Sequence, residues 1–93
     1  MRYPVRLKKE AARELEHLPQ EARLRLVYAM VYVGQTPTRP SPRLSIKQMR
    51  GHPGFWRLAV GPWRAIYRFD GETVLFYMFG HRGTIYQQFE SSS

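Results

Sequence analysis

Cysteine is absent from the 93 residues. Disulfides and thiolate zinc sites are therefore excluded, and the chain is compatible with a reducing compartment. Acid is scarce: seven Asp and Glu stand against fifteen Lys and Arg, a formal net charge of +8. Glu10, Glu14, Glu16 and Glu21 fall in helical segments, while Asp70 and Glu72 belong to a turn, so paired-carboxylate catalysis is not expected. Long apolar runs are missing too. The longest, Leu26 to Val33, is far short of the roughly 20 residues that span a bilayer. The opening Met1-Arg2-Tyr3-Pro4 carries no signal-peptide core, and a cytoplasmic protein without membrane contact is expected. No Walker loop, dinucleotide fingerprint or nucleophile elbow appears. Histidines at 17, 52 and 81 match no metal-ligand spacing, so neither metal nor cofactor is expected.

What is present is a single small domain rich in cations and aromatic rings. Residues 39–93 hold eight of the fifteen cations but only three of the seven acids. Basic domains of this size meet nucleic acid, acidic protein or anionic membrane.

The most informative stretch is Arg50 to Arg68, which reads as two strands joined at Gly61–Pro62. A two-residue loop sets Val60 opposite Trp63. One face then carries Trp56, Leu58, Val60, Trp63, Ala65, Tyr67 and Phe69, and the other Phe55, Arg57, Ala59, Arg64, Ile66 and Arg68. Guanidinium groups clustered on one face repel each other and ask for an anionic partner, phosphate above all.

Around this hairpin the chain falls into order. Tyr3 to Leu7 alternates as a strand, with Pro4 confining it to an edge or a strand start. Leu7, Ala11, Leu15 and Leu18 recur at helical spacing, and Pro19 suits the first turn of a second helix over about Gln20 to Val33, ended by Gly34. That helix is apolar twice over. Ala22, Leu26, Ala29, Met30 and Val33 form one stripe, and Leu24, Val27, Tyr28, Val31 and Tyr32 widen it, either for burial on two sides or for a partner protein. A proline-rich loop follows. Ile46 to Met49 fits a helical turn or a short strand. After the Asp70–Gly71 turn, Val74 to Phe79 is an unbroken apolar run expected as a central strand. A two-residue turn puts Leu75, Tyr77, Phe79 and His81 on the arginine face; a three-residue turn puts Arg82 there instead. Thr84-Ile85-Tyr86 reads as a brief last strand, and residues 91–93 as a frayed tail to a single domain over 1–90. The expected architecture is α+β, ordered β-α-α-β-β-β, with a helical hairpin on one face of a curved antiparallel-rich sheet.

Most candidate residues have a bland reading beside the functional one. His17 ends an amphipathic helix as a surface charge. His52 lies in Gly51-His52-Pro53-Gly54, whose GXXG outline precedes a strand instead of joining two helices, as a KH loop would. The remaining set is Arg57, Arg64, Arg68, Arg82, His81 and Tyr86.

The runs Met49-Arg50-Gly51-x-Pro53-Gly54-Phe55-Trp56-Arg57-Leu58 and Trp63-Arg64-Ala65-Ile66-Tyr67-Arg68, then Gly80-His81-Arg82 and Ile85-Tyr86, resemble the RelE/ParE toxin superfamily, most closely its RelE branch. The resemblance spans nearly the whole chain and implies a RelE-like fold. It further implies a toxin that cuts mRNA in the ribosomal A site without metal, the 2′-hydroxyl attacking the adjacent phosphate to leave a 2′,3′-cyclic phosphate and a 5′-hydroxyl. By position, Arg57 matches a basic catalytic residue that is often lysine, Arg64 and Arg82 match phosphate-holding arginines, and Tyr86 matches a nucleotide-orienting tyrosine. Ala59 and Gly83 depart from basic positions of the family. Arginine, with a pKa above about 12, is a poor general base, which makes His81 the proton-transfer candidate with Tyr86 behind it. Lys47, Arg50, Phe55 and Arg68 are assigned to RNA contact. The expected partners are the ribosome, mRNA and an acidic antitoxin with an amphipathic segment. The alternatives are a ParE-like topoisomerase inhibitor that cuts nothing, and an RNA-binding domain without catalysis.

Overall fold

The computed structural model describes residues 2–92. Its centre is the hairpin of β3 (Phe55–Val60) and β4 (Trp63–Phe69), paired from Val60 opposite Trp63 to Phe55 opposite Arg68 as the alternation predicts. Gly61 takes a left-handed φ of 59° in the two-residue turn, a conformation that a side chain would strain. Leu58, Val60, Ala65 and Tyr67 are buried on one face, with Trp56, Trp63 and Phe69 packed against them.

The other strands extend this hairpin on both sides. β1 (Val5–Leu7) lies at one edge, parallel to β5 (Val74–His81), and β2 (Ser45–Gln48) at the other, giving the order β1-β5-β4-β3-β2. Ile46 to Met49 therefore resolves as a strand, with Ile46 buried and Ser45 and Lys47 on the opposite face. The edge place of β1 suits Pro4, whose missing N–H would interrupt a central ladder. α1 (Lys9–Glu16) and α2 (Gln20–Gln35) form a hairpin over the sheet through Ala11, Leu15, Leu26, Ala29, Met30 and Val33.

Three local expectations need correction. Gly34 does not end α2; it is buried inside the helix, and its carbonyl accepts a hydrogen bond from Tyr3 N (2.9 Å). The N-terminal segment crosses the helix at this point, two residues before its C-cap Thr36. Thr84-Ile85-Tyr86 is not a strand but the entry to α3 (Ile85–Ser92), which covers the second face of the sheet with Ile85 and Phe89 packed on Ile66. Ser91 and Ser92 lie within that helix, Ser92 Oγ donating to the Gln88 carbonyl (2.7 Å), and Ser93 lies outside the described residues.

The third correction concerns β5. Asp70 to Thr73 form a four-residue loop, with Asp70 Oδ1 accepting from Glu72 N and Thr73 N, each at 2.9 Å. These backbone donors, Thr73 first, hold the Asp70 carboxyl below the usual carboxylate range. The ladder then shifts between Ile66 and Tyr67, so that Ile66 faces Met78 while Tyr67 faces Phe76. Tyr77 is the extra residue of a bulge. Each expected register holds for half of the strand: Leu75 and Tyr77 share the arginine face, as one predicts, and beyond the bulge Phe79 turns into the core and Arg82 reaches the arginine face, as the other does.

Tyr67 carries a stability consequence. It is fully buried, its hydroxyl donates to the Pro37 carbonyl, and burial pushes its pKa well above the ordinary tyrosine value, with Tyr32 adding to the rise. The folded state thus holds the phenolic proton more tightly than the unfolded chain. Its contribution is complete below about pH 10 and is lost as pH climbs toward the folded value. Urea melts from about pH 8 to pH 11 should show a falling midpoint that flattens in Tyr67→Phe. That variant should also lose about 1–2 kcal/mol at neutral pH, because the Pro37 carbonyl is left unpaired.

Candidate RNA-phosphate site

On the sheet face away from the α1–α2 hairpin, cross-strand pairing aligns side chains in rows. Lys47 stands opposite Arg57, and Ser45, Ala59 and Arg64 run across β2, β3 and β4 in register. The turn after β5 brings Arg82 to the end of this row, its backbone N–H donating to the Pro62 carbonyl (2.9 Å) at the tip of the β3–β4 hairpin. α3 adds Tyr86 from the side. Together Ser45, Lys47, Arg57, Ala59, Arg64, Arg82 and Tyr86 line a concavity of about 350 Å³. It continues into a second hollow lined by Lys47, Gln48, Met49, Arg50, Arg57 and Tyr86.

Two of the guanidinium groups are held by neutral partners. Arg64 Nη1 donates to the carbonyls of Gly61 (2.7 Å) and Trp63 (2.9 Å). Arg57 Cζ lies 5.6 Å from the centroid of the Tyr86 ring, a cation–π arrangement that fixes both side chains. Among the described residues no carboxylate pairs with Arg57, Arg64 or Arg82. Cations gathered this way without internal neutralisation attract an anion, and guanidinium forks match the nonbridging oxygens of a phosphodiester. Ala59 leaves the floor open where a longer side chain would fill it.

Six of the nine residues assigned from sequence therefore come together: Arg57, Arg64, Arg82 and Tyr86, with Lys47 and Arg50. Three do not. His81 faces Trp63 across β4 and β5, its ring edge-on to the indole at 5.6 Å, and its Nδ1 accepts a hydrogen bond from Gly83 N (3.1 Å). The bulge in the β4–β5 ladder sets that orientation, so His81 belongs to the helical side of the sheet and is withdrawn from the site. Phe55 lies on the correct face but under α3, against Phe89 (ring centroids 5.3 Å) and Tyr77 (4.9 Å). Arg68 stands beyond it, over the Phe55 ring at 5.9 Å. α3 divides the face, and these two fall in the far half.

Ser45 is the lining residue that the sequence reading missed. The signal was the alternation Ser45, Ile46, Lys47 in a segment left open between strand and turn. With His81 outside, the proton-carrying groups other than guanidinium in the concavity are the Tyr86 and Ser45 hydroxyls and the Lys47 amine. Among the described residues, no group of three His, Asp or Glu is placed to hold a metal ion.

The family model of the ParE toxin of the type II toxin–antitoxin system parDE matches residues 5–86. Toxin RelE3 of Methanocaldococcus jannaschii is 27% identical over 81 residues, which cover 87% of this chain and 92% of that one. The RelB–RelE antitoxin–toxin complex from Methanococcus jannaschii superposes with a TM-score of 0.72 at 26% identity, covering 89% of this chain and 96% of that chain. The toxin–antitoxin complex RelBE2 from Mycobacterium tuberculosis gives 0.74 at 27% identity, over 88% and 100% of the two chains.

Proposed function

The chain belongs to the ParE toxin family of type II toxin–antitoxin systems and is RelE-like, and from its likeness to RelE toxins we propose that it is a ribosome-dependent mRNA endonuclease. The observation that carries this reading is the set of Arg57, Arg64 and Arg82 around one concavity beside Tyr86, without a carboxylate partner among the described residues. In the proposed reaction the 2′-oxygen attacks the adjacent phosphorus and the bond to the 5′-oxygen breaks. The 2′-hydroxyl gives up its proton and the departing 5′-oxygen gains one. Arg64 and Arg82 stabilise charge on the nonbridging oxygens. Arg57 and Tyr86 orient the nucleotide, and the Tyr86 hydroxyl and Lys47 amine are assigned the proton transfers. mRNA on ribosomes places the site of action in the cytoplasm; no helix among the described residues is long and apolar enough to cross a membrane.

Primer extension on translating ribosomes tests the reading. Cuts confined to the A-site codon are expected from the wild-type chain. Absence of such cuts, or cuts that persist unchanged in Arg64→Ala, would sink it. Toxicity that survives both Arg64→Ala and Tyr86→Phe and raises a DNA-damage response would favour topoisomerase inhibition instead.

The partner implied by membership is an antitoxin, and α2 offers it a surface. Leu24, Val27, Tyr28 and Val31 recur at helical spacing and are 41–78% exposed, while the opposite stripe is buried as predicted. Arg25 and Arg43 rim the adjoining groove beside Tyr28 and Leu44, which suits an acidic amphipathic segment. Tyr28→Asp should weaken the complex with the co-encoded acidic protein about tenfold or more by calorimetry. Unchanged affinity would move the contact elsewhere.

A further inference from the structure

Beyond α3, the half of the outer face that the concavity does not use has its own order. Arg68 Cζ lies 5.9 Å from the Phe55 ring centroid, Phe55 meets Tyr77 edge-on at 4.9 Å, and Lys8 Nζ lies 4.6 Å from the Tyr77 ring. Cation, ring, ring and cation thus follow one another in contact. Register puts Arg6 across Leu75 from Arg68, about 10 Å away at the backbone. The rings open on a cavity of about 410 Å³ whose lining includes Lys8, His52, Phe55, Tyr77 and Phe89. Lys8, Arg6 and Arg68 are exposed, and the rings are half-buried.

Three acids border this surface, Glu90 among them through its contact with His52 (2.9 Å). Asp70 spends one carboxylate oxygen on its own turn, and Glu10 lies at the mouth of the cavity beside Lys8. Three cations against three acids would make a poor general anion trap. What distinguishes the surface is the pairing of cations with ring faces and edges at an open slot. Single-stranded nucleic acid has the matching chemistry: a flat base to stack and flanking phosphates to neutralise.

We propose that this Lys8–Tyr77–Phe55–Arg68 surface is a second binding site, for an unpaired RNA segment, separated from the concavity by α3. An extruded base enters the cavity against Tyr77 and Phe55, and the phosphates on either side meet Lys8 and the Arg6–Arg68 pair. The site needs no cleavage and is independent of the reaction proposed for the concavity. It gives the toxin a hold on ribosomal or messenger RNA while the concavity is engaged elsewhere.

Anisotropy of a short fluorescein-labelled oligouridine, titrated with the purified full chain in the absence of ribosomes, tests the proposal. The variant Arg57→Ala/Arg64→Ala/Arg82→Ala should still bind. Adding Lys8→Gln and Arg68→Gln, both at exposed positions, should then weaken binding about tenfold or more and lower the salt slope by about 1.4, near 0.7 for each phosphate no longer neutralised. With 4-thiouridine in the oligomer, cross-links should map to Tyr77 or Phe55. Loss of all binding in the concavity variant, or an affinity and salt slope unmoved by the Lys8 and Arg68 changes, would overturn the site. So would displacement of the RNA by an equal charge of oligoglutamate, which would reassign the surface to an acidic peptide. None of these outcomes bears on A-site cleavage, which Arg64→Ala reports separately.

Discussion

Replacing Arg64 and Arg82 together with alanine is expected to slow the proposed A-site cleavage by roughly 10²- to 10⁴-fold, with the fold intact. Each charge-assisted hydrogen bond to the developing phosphorane oxygens is worth about 1.5–3 kcal/mol, or roughly ten- to a hundredfold in rate. The two residues reach the concavity from different elements, Arg64 from β4 and Arg82 from the turn after β5, so each can be removed without displacing the other. If both hold the same phosphate they will couple, and the double loss will fall short of the product of the singles. The rate is best read as single-turnover cleavage on ribosomes programmed with one codon, and urea melts alongside should stay within about 1 kcal/mol of wild type. Arg64 does make backbone hydrogen bonds at the hairpin turn. Arg64→Lys therefore serves as the control: it keeps a charge but loses the fork, and should recover only part of the rate. Full recovery by lysine would mean that bulk charge, and not paired hydrogen bonding, is what the concavity supplies.

How far the sequence could be read follows from the reach of each signal. The β3–β4 hairpin was legible because alternation and the Gly61–Pro62 turn are both local, and together they leave one register. That register delivered Arg57 and Arg64 to one face. Arg82 could be left only as an alternative, because its placement depends on a bulged Tyr77. One extra residue leaves no mark in an apolar run such as Val74 to Phe79, yet it reverses which parity faces the core. His81 fails for the same reason: its neighbours in sequence are site residues, but parity turns it toward Trp63.

α3 was missed because its local and tertiary signals conflict. Thr84, Ile85 and Tyr86 favour extended backbone taken alone. The spacing of Ile85 and Phe89 has meaning only once Ile66 is known to need cover. The separation of Phe55 and Arg68 from the concavity follows directly. A face read as one surface is in fact cut in two by a helix, so residues correctly assigned to it need not share a ligand.

That helix is also where a single apolar truncation should have a large local effect. Phe89→Ala is expected to release α3 from the sheet and to abolish the contribution of Tyr86 without unfolding the rest. Eight residues are too few for a helix to persist in water, where about 12–15 are needed, so α3 depends on its anchors. Phe89 is 5% exposed and packs its ring against His52 (4.9 Å) and Phe55 (5.3 Å). Truncating a buried Phe costs about 3–5 kcal/mol. The His52–Glu90 pair at 2.9 Å, exposed on the Glu90 side, contributes at most about 1 kcal/mol and cannot replace it. Amide exchange in α3 should accelerate by roughly 10²- to 10³-fold, while the amides of β4, paired on both sides, slow or hasten only with global stability. Cleavage should fall about as far as in Tyr86→Ala, because a ring that no longer stacks on Arg57 can orient neither the guanidinium nor the nucleotide. If α3 amides keep their protection, or if cleavage survives their loss, Tyr86 is not held in place by the helix that carries it.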